Sequence, residues 1–121
     1  MKSFRDLEIW KEAHCLRLEV YKISKEFPPE EKYNLKSQIR RSSSSVADQI
    51  AESHGRYFYA DKVRVLYQAR GESEETRSQL SLALDLGYIK EEIFDQLDSR
   101  YESLNKRISR YISSLKQRKT N

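Results

Sequence analysis

The chain has 121 residues, which is the length of one domain rather than two. Hydrophobic residues make up 37% of it, and eight Tyr, four Phe and one Trp argue against a disordered chain. Three glycines and two prolines are too few for the turns of an all-β protein, so we expect few, long elements. The net charge of +4 is compatible with an acidic partner but does not require one.

The amino terminus, MKSFRDLEIW, lacks the apolar core of a signal peptide, and no stretch approaches the roughly 20 apolar residues of a membrane span. We therefore expect a cytoplasmic protein that does not enter a membrane. Cys15 is the single cysteine, which excludes a disulfide within the chain.

The first helix is predicted from about Asp6 to Glu26. Ser3 or Asp6 can cap its start, and Pro28 and Pro29 follow its end. Its apolar residues recur at steps of three and four, which places them on one helical face. They are Ile9, Ala13, Leu16, Val20, Ile23 and Phe27.

The second helix, predicted from about Glu31 to Ser53, contains the run RRSSSS, which has three possible interpretations: a linker, a phosphate-binding loop or a helix. A phosphate loop needs glycines that are missing here, and the apolar period continues on both sides of the serines. We therefore expect a helix. Because serine is only a moderate helix former, the four serines weaken the helix, and we expect close packing against a neighbouring helix to offset this loss. The small residues expected at such contacts are Ser42, Ser45, Ala47 and Ala51.

The third helix is predicted from about Tyr59 or Asp61 to Leu86. Gly71, inside this helix, is expected to mark another close helix contact, and Gly87 is expected to cap its end. The fourth helix runs from about Lys90 to Lys116, with acidic residues at its start and basic residues at its end.

Four amphipathic helices joined by short connections predict an all-α fold, an antiparallel up-and-down four-helix bundle. The bundle should form one domain over residues 1–121, with a basic tail at about residues 116–121.

Five stretches in this order resemble the bacterial four-helix-bundle family encoded by intervening sequences in 23S rRNA genes. They are FRDLEIWKEA (4–13), VYKISKEFP (20–28), SQIRRSSSSVADQIAESHGR (37–56), YQARGESEE (67–75) and QLSLALDLGYI (79–89). The resemblance implies a ring of five bundles. It also implies similarity in architecture to the accessory proteins of diversity-generating retroelements, which bind reverse transcriptase and nucleic acid. It implies no catalytic activity.

The residues themselves offer no convincing catalytic or metal site. His14 and Cys15 are adjacent, so on a helix they point about 100° apart. His54 stands near a helix end without a nucleophile, and the Glu-x-x-His pairs of di-iron bundles are missing. We therefore expect no enzyme activity, no cofactor and no metal.

Basic and aromatic residues give the strongest functional signal. Arginines bind phosphates in a forked geometry, and exposed aromatic rings stack on unpaired bases. The competing interpretation places the aromatic rings at a subunit interface and pairs the arginines with acids on a neighbouring chain. The predicted nucleic-acid-binding residues are Arg40, Arg41, Arg56, Tyr57, Tyr59, Lys62, Arg64, Lys116, Arg118 and Lys119.

The sequence leaves two main hypotheses for function. The first is a non-enzymatic, oligomeric bundle that binds the backbone of RNA or DNA. The second is a protein-interaction scaffold, possibly a partner of a reverse transcriptase, that does not touch nucleic acid. An oligomer is expected because the middle of the third helix is polar, whereas Tyr57, Phe58 and Tyr59 are apolar and predicted to be exposed.

Overall fold

The structure, a computed structural model, describes the backbone of residues 3–120 and the side chains of residues 3–118. Four α-helices follow one another: α1 (Glu8–Ser24), α2 (Leu35–Gly55), α3 (Tyr59–Asp85) and α4 (Glu91–Thr120). No β-strand occurs within residues 3–120. The predicted all-α fold with four helices is confirmed.

Consecutive helices are antiparallel, as the contacts between them show. In the pair formed by α1 and α2, Arg17 contacts Asp48. Ser24 lies farther along α1 and contacts Arg40, which lies earlier in α2. The next two helix pairs follow the same antiparallel order, through Arg41 with Glu72, Lys62 with His54, Tyr67 with Lys116, and Arg77 with Asp98.

A single apolar core lies between the helices. Its largest completely buried side chains are Tyr101, Leu16, Ile39, Ile50, Leu66, Leu80, Leu104, Ile108 and Leu115. On α3, Val65 is completely buried, whereas Val63 is half-buried and packs against the core. Tyr101 of α4 lies inside the core. Burial of this interior is the main stabilising contribution to the fold.

The serine run lies entirely within α2, so the helical interpretation is confirmed. Ser42 and Ser43 are completely buried. Ser45, also predicted at a close contact, is only half-buried, and its hydroxyl accepts a hydrogen bond from Gln49 on the same helix at 3.0 Å. The completely buried positions of the run are Ser42, whose hydroxyl lies 2.7 Å from that of Thr76 on α3, and Ser43.

The other predicted packing residues differ from one another in burial. Ala47 is completely buried and Ala51 is half-buried. Gly71 is exposed, and a Cβ added there would meet no atom within 4 Å. The prediction that Gly71 marks a close helix contact is therefore wrong for the contacts inside the bundle, because the face of α3 at this residue points away from the core.

The end of α3 follows the predicted glycine cap. Gly87 has a φ of 79°, the left-handed conformation that favours glycine. The Gly87 N–H donates to the carbonyl of Leu84, and the Tyr88 N–H donates to the carbonyl of Ala83 at 2.8 Å. These bonds form a Schellman motif, which satisfies carbonyls at the end of the helix.

The starts of α1 and α2 differ from the predicted boundaries. A 3-10 turn over Phe4–Asp6 precedes α1, and Ser3 caps that turn rather than the α-helix. A second 3-10 turn, Pro29–Glu31, delays the start of α2 to Leu35. The fixed φ of proline suits the first residue of such a turn.

Tyr101→Phe should stabilise the protein. The Tyr101 hydroxyl is buried and has no hydrogen-bond partner among the described residues, and an unpaired buried polar group costs about 1–3 kcal/mol. Burial raises the pKa of Tyr101 above its ordinary value of 10.0. The wild type should therefore lose stability as the pH rises above 10, because the unfolded phenol ionises while the folded one stays protonated.

Urea unfolding at pH 7 and at about pH 10.5 tests this prediction. We expect the Tyr101→Phe variant to exceed the wild type in free energy of unfolding at pH 7, and the difference to widen at the higher pH. A variant that is less stable than the wild type at both values would show that the hydroxyl has a partner that stabilises the fold.

Candidate nucleic-acid interface

The predicted nucleic-acid-binding residues fall into two groups rather than one. Arg40 and Arg41 lie near the start of α2, and Arg56 follows its end. At a rise of 1.5 Å per residue, Arg41 and Arg56 are separated by about 22 Å along the helix axis. The aromatic residues Tyr57 and Tyr59 accompany Arg56, so they do not share a site with Arg40 and Arg41.

Arg40 is fixed against α1 by neutral groups. Its Nε donates to Ser24 Oγ at 2.7 Å, and its terminal nitrogen donates to the carbonyl oxygen of Tyr21 at 3.1 Å. Its guanidinium carbon lies 4.5 Å from the centre of the Tyr21 ring, a cation–π contact. None of these partners carries a negative charge, so Arg40 keeps its full positive charge in a fixed orientation.

Arg41, by contrast, is already paired with acids of α3. Its guanidinium donates to Glu72 at 3.2 Å and also to Glu75. Glu75 in turn accepts from Gln79, which contacts the buried Ser42. Arg41 is therefore paired with acids, as the competing interpretation expected, but these acids belong to its own chain rather than to a neighbouring one. The positive charge that Arg41 offers to a phosphate is correspondingly reduced.

An open groove of about 520 Å³ lies where the end of α1 meets the start of α2. We call it the α1–α2 groove. No acidic residue is among the described residues that line it. Those residues are Tyr21, Lys32, Tyr33, Lys36, Ser37, Arg40, Arg41 and Ser44. Sequence reasoning identified Arg40 and Arg41 but missed two lysines and two tyrosines beside them.

Of the side chains that were missed in the α1–α2 groove, Lys32 and Tyr33 are exposed and Lys36 is half-buried. Tyr33 is 83% exposed, and the ammonium of Lys32 lies 5.3 Å from the centre of its ring. Neither Lys32 nor Lys36 forms an ion pair with any residue that the structure describes. Together with Arg40, they give the groove three cations without a carboxylate partner.

The second group of basic residues, near the α2–α3 connection, is largely engaged in local contacts. Arg56 pairs with Glu52, which raises the pKa of the Arg56 guanidinium. Lys62 donates to the carbonyl of His54 at 2.9 Å and so caps the end of α2, while partial burial lowers the pKa of its ammonium. Arg64 lies 4.0 Å from Asp61, at the limit of an ion pair.

The aromatic residues of this connection are strongly exposed. Tyr57 is 87% and Phe58 64% exposed, and their rings meet edge to face at 5.0 Å. Tyr59 and Lys116 line one small cleft, and the Lys116 ammonium donates to the hydroxyl of Tyr67 at 3.2 Å. This end of the bundle therefore does combine aromatic rings with basic residues of α4.

The carboxy-terminal basic residues are only partly described. Arg118 is exposed on α4. The predicted binding residue Lys119 lies outside the residues whose side chains are described, as do Thr120 and Asn121.

The histidine and cysteine of α1 have ordinary structural surroundings. The His14 ring stacks on Trp10 at 4.8 Å, and its Nδ1 accepts a hydrogen bond from Arg17 at 3.0 Å. Cys15 is exposed. Within the described part of the chain, no group of three or more His, Cys, Asp or Glu residues is placed to hold a metal ion, and no helix is long and apolar enough to cross a membrane.

Comparison with known proteins agrees with this architecture. The model of the 23S rRNA-intervening sequence protein family matches residues 5–110, and the chain belongs to that family. A crystal structure of a protein with unknown function from the S23 ribosomal protein family of Bacteroides thetaiotaomicron is similar, with a TM-score of 0.80 and 22% identity. The alignment covers 86% of this chain and 97% of that one. No curated protein matches the chain.

Proposed function

We propose that this chain is a non-enzymatic, cytoplasmic nucleic-acid-binding protein that holds the backbone of RNA or DNA in the α1–α2 groove. One observation carries the proposal: Lys32, Lys36 and Arg40 line the groove without a carboxylate partner among the described residues. Exposed cations that are not neutralised within the protein attract a polyanion, and each phosphate that they neutralise releases counterions.

The fixed position of Arg40 adds to the case. An arginine held by Ser24 and by the ring of Tyr21 loses little freedom when it binds a phosphate. The flexible lysines provide charge without imposing a base sequence, because phosphate contacts carry no sequence information. Binding should therefore be non-specific in sequence and sensitive to salt.

The remaining predicted residues form a second basic surface in this proposal. Arg56 follows the end of α2, Arg64 lies in the first turns of α3, and Lys116 and Arg118 lie on α4, where a long strand that leaves the groove can meet them. Arg56 and Arg64 have acidic neighbours, so we assign the main contribution to the groove.

A charge-neutralising variant tests the proposal. Lys32→Gln/Lys36→Gln removes two of the three unpaired groove cations and lowers the net charge from +4 to +2. At about 50 mM salt, loss of two phosphate contacts should weaken single-strand binding on the order of 10- to 100-fold. Fluorescence anisotropy with a labelled oligonucleotide of mixed sequence measures this.

Lys11→Gln/Lys106→Gln is the matched control, because it makes the same change in net charge outside the groove, at two exposed lysines that pair with Glu8 and Glu102. We expect its affinity to stay close to that of the wild type. Equal losses in both variants would assign binding to net charge rather than to the groove. If the wild type binds neither single-stranded nor duplex RNA or DNA, the proposal is wrong.

We also propose that the protein is a homo-oligomer, and the resemblance to the family implies a pentamer. The exposed pair Tyr57 and Phe58 supports an interface, since a monomer would leave both rings in water. Light scattering at micromolar concentration should give a multiple of the 14.4 kDa chain mass. A monomer mass would contradict this part of the proposal.

The same aromatic pair favours the second candidate function, a protein-interaction scaffold that touches no nucleic acid. A reverse transcriptase is the kind of partner that the family resemblance suggests. Absence of oligonucleotide binding by an intact oligomer would favour this function over the first.

A further inference from the structure

The α1–α2 groove combines its cations with two aromatic rings, which come from different segments of the chain. Tyr21 comes from α1, and its ring lies beneath the guanidinium of Arg40. Tyr33 comes from the connection between α1 and α2, and its ring is accompanied by Lys32. Each ring therefore has a positive charge within about 5 Å of its centre.

Tyr33 contributes little to the fold. Its ring is 83% exposed, and it belongs neither to the core nor to the residues packed against the core. Exposure of a large ring costs hydrophobic free energy that a ligand would recover by covering it. A flat ring beside cations is the combination that binds nucleotides, since bases stack on the ring while phosphates meet the charges.

We propose that the ligand of the α1–α2 groove is an unpaired strand of RNA or DNA, one of whose bases stacks on Tyr33. The inference rests on the proposed function and goes beyond it by naming the form of nucleic acid. Lys32 and Lys36 bind the phosphates that flank the stacked base. Arg40, held over the ring of Tyr21, adds a third positive charge within the same groove.

A duplex is not the preferred ligand, because its paired bases cannot stack on Tyr33. In a double helix the flat faces of the bases are stacked on one another, and only their edges are accessible in the grooves. An exposed tyrosine ring can stack only on a base that is unpaired or at an end. A duplex can meet Lys32 and Lys36 through its phosphates, but it leaves Tyr33 unused.

Three substitutions at one position separate stacking from charge. Tyr33→Ala removes the ring, Tyr33→Leu keeps an apolar side chain without a flat face, and Tyr33→Phe keeps the ring without the hydroxyl. The probes are a labelled 12-nucleotide RNA of mixed sequence, the same strand annealed to its complement, and long-chain inorganic polyphosphate, which carries charge but no base.

We expect Tyr33→Ala and Tyr33→Leu to weaken single-strand binding about 5- to 150-fold, the effect of one lost stacking contact. Binding of the duplex and of polyphosphate should change by less than about twofold, because the cations are intact. Tyr33→Phe should bind the single strand as the wild type does. Circular dichroism and thermal unfolding should be unchanged in all three variants, since the side chain lies outside the core.

Two results would overturn the inference. If Tyr33→Ala binds the single strand as tightly as the wild type while the wild type binds both forms, the groove holds phosphates without stacking, and the proposed function stands alone. If Tyr33→Ala weakens all three probes equally, Tyr33 positions the cations rather than a base. Failure of the wild type to bind any of the probes would instead reject the proposed function itself, and with it the inference.

Discussion

Ser43→Leu should lower the free energy of unfolding by about 1–3 kcal/mol, because it forces a larger side chain into a closely packed site. Ser43 is completely buried, and its hydroxyl donates to the carbonyl of Arg40 in the same helix at 3.3 Å. Arg40, Ser43 and Ala47 recur at steps of three and four, so they share one face of α2. Since Arg40 contacts α1, this face packs towards α1.

Ser45→Leu is the matched control for this prediction. It makes the same chemical change two residues farther along the same helix, at a position that is only half-buried. Leucine is a better helix former than serine by a few tenths of a kcal/mol, so this variant should unfold close to the wild type. Urea unfolding of both variants measures the difference. Equal destabilisation by the two substitutions would show that the serine run is uniformly packed.

The helices could be predicted from the sequence because their signals are local. The apolar residues of α1 and α2 recur at helical spacing, and the glycine at position 87 ends α3 where expected. Burial within the serine run could not be predicted in the same way. Ser42, Ser43 and Ser45 have the same side chain, and their burial depends on how α2 is rotated against its neighbours.

The ion pairs and hydrogen bonds of the predicted binding residues could not be predicted from the sequence either. Arg41 meets Glu72 and Glu75 across 31 and 34 residues of chain, a distance at which sequence spacing carries no information about contact. Lys62 contacts carbonyls at the end of α2 only because the connection to α3 turns it back. These residues therefore present less positive charge to a ligand than their number in the sequence indicates, because partners within the protein already engage them.

One sequence pattern could have predicted the cations of the α1–α2 groove. Lys32, Lys36 and Arg40 recur every four residues, which places them on one side of a continuous helical path. The path is interrupted before Leu35, and the contribution of Tyr21 appears only when α1 folds back on α2. Of the predicted binding residues, only Arg40 and Arg41 line this groove, whereas the aromatic residues Tyr57 and Tyr59 lie at the other end of α2.

The affinity of the wild type for a single strand should fall about 20-fold between about 50 and 200 mM salt. This value follows from three phosphate contacts, for Lys32, Lys36 and Arg40, each of which contributes about −0.7 to the slope of log K against log salt. With Arg40 alone left in the Lys32→Gln/Lys36→Gln variant, the expected decrease is about threefold. Arg41 is not counted, because Glu72 and Glu75 already offset its charge.

The slope is more informative than a single affinity because it counts the phosphate contacts at the groove. Loss of fold would abolish binding at every salt concentration, whereas loss of two contacts flattens the dependence on salt. The Lys11→Gln/Lys106→Gln control has the same net charge as the groove variant and keeps all three groove cations, so it should retain the wild-type slope.

Equilibrium titration of a labelled single strand with the wild type and these two variants, across about 50 to 200 mM salt, therefore tests the binding function most directly. A slope near −2 for the wild type and the control, and near −0.7 for the groove variant, is the expected result. Parallel slopes for all three proteins would contradict the assignment of nucleic-acid binding to the α1–α2 groove.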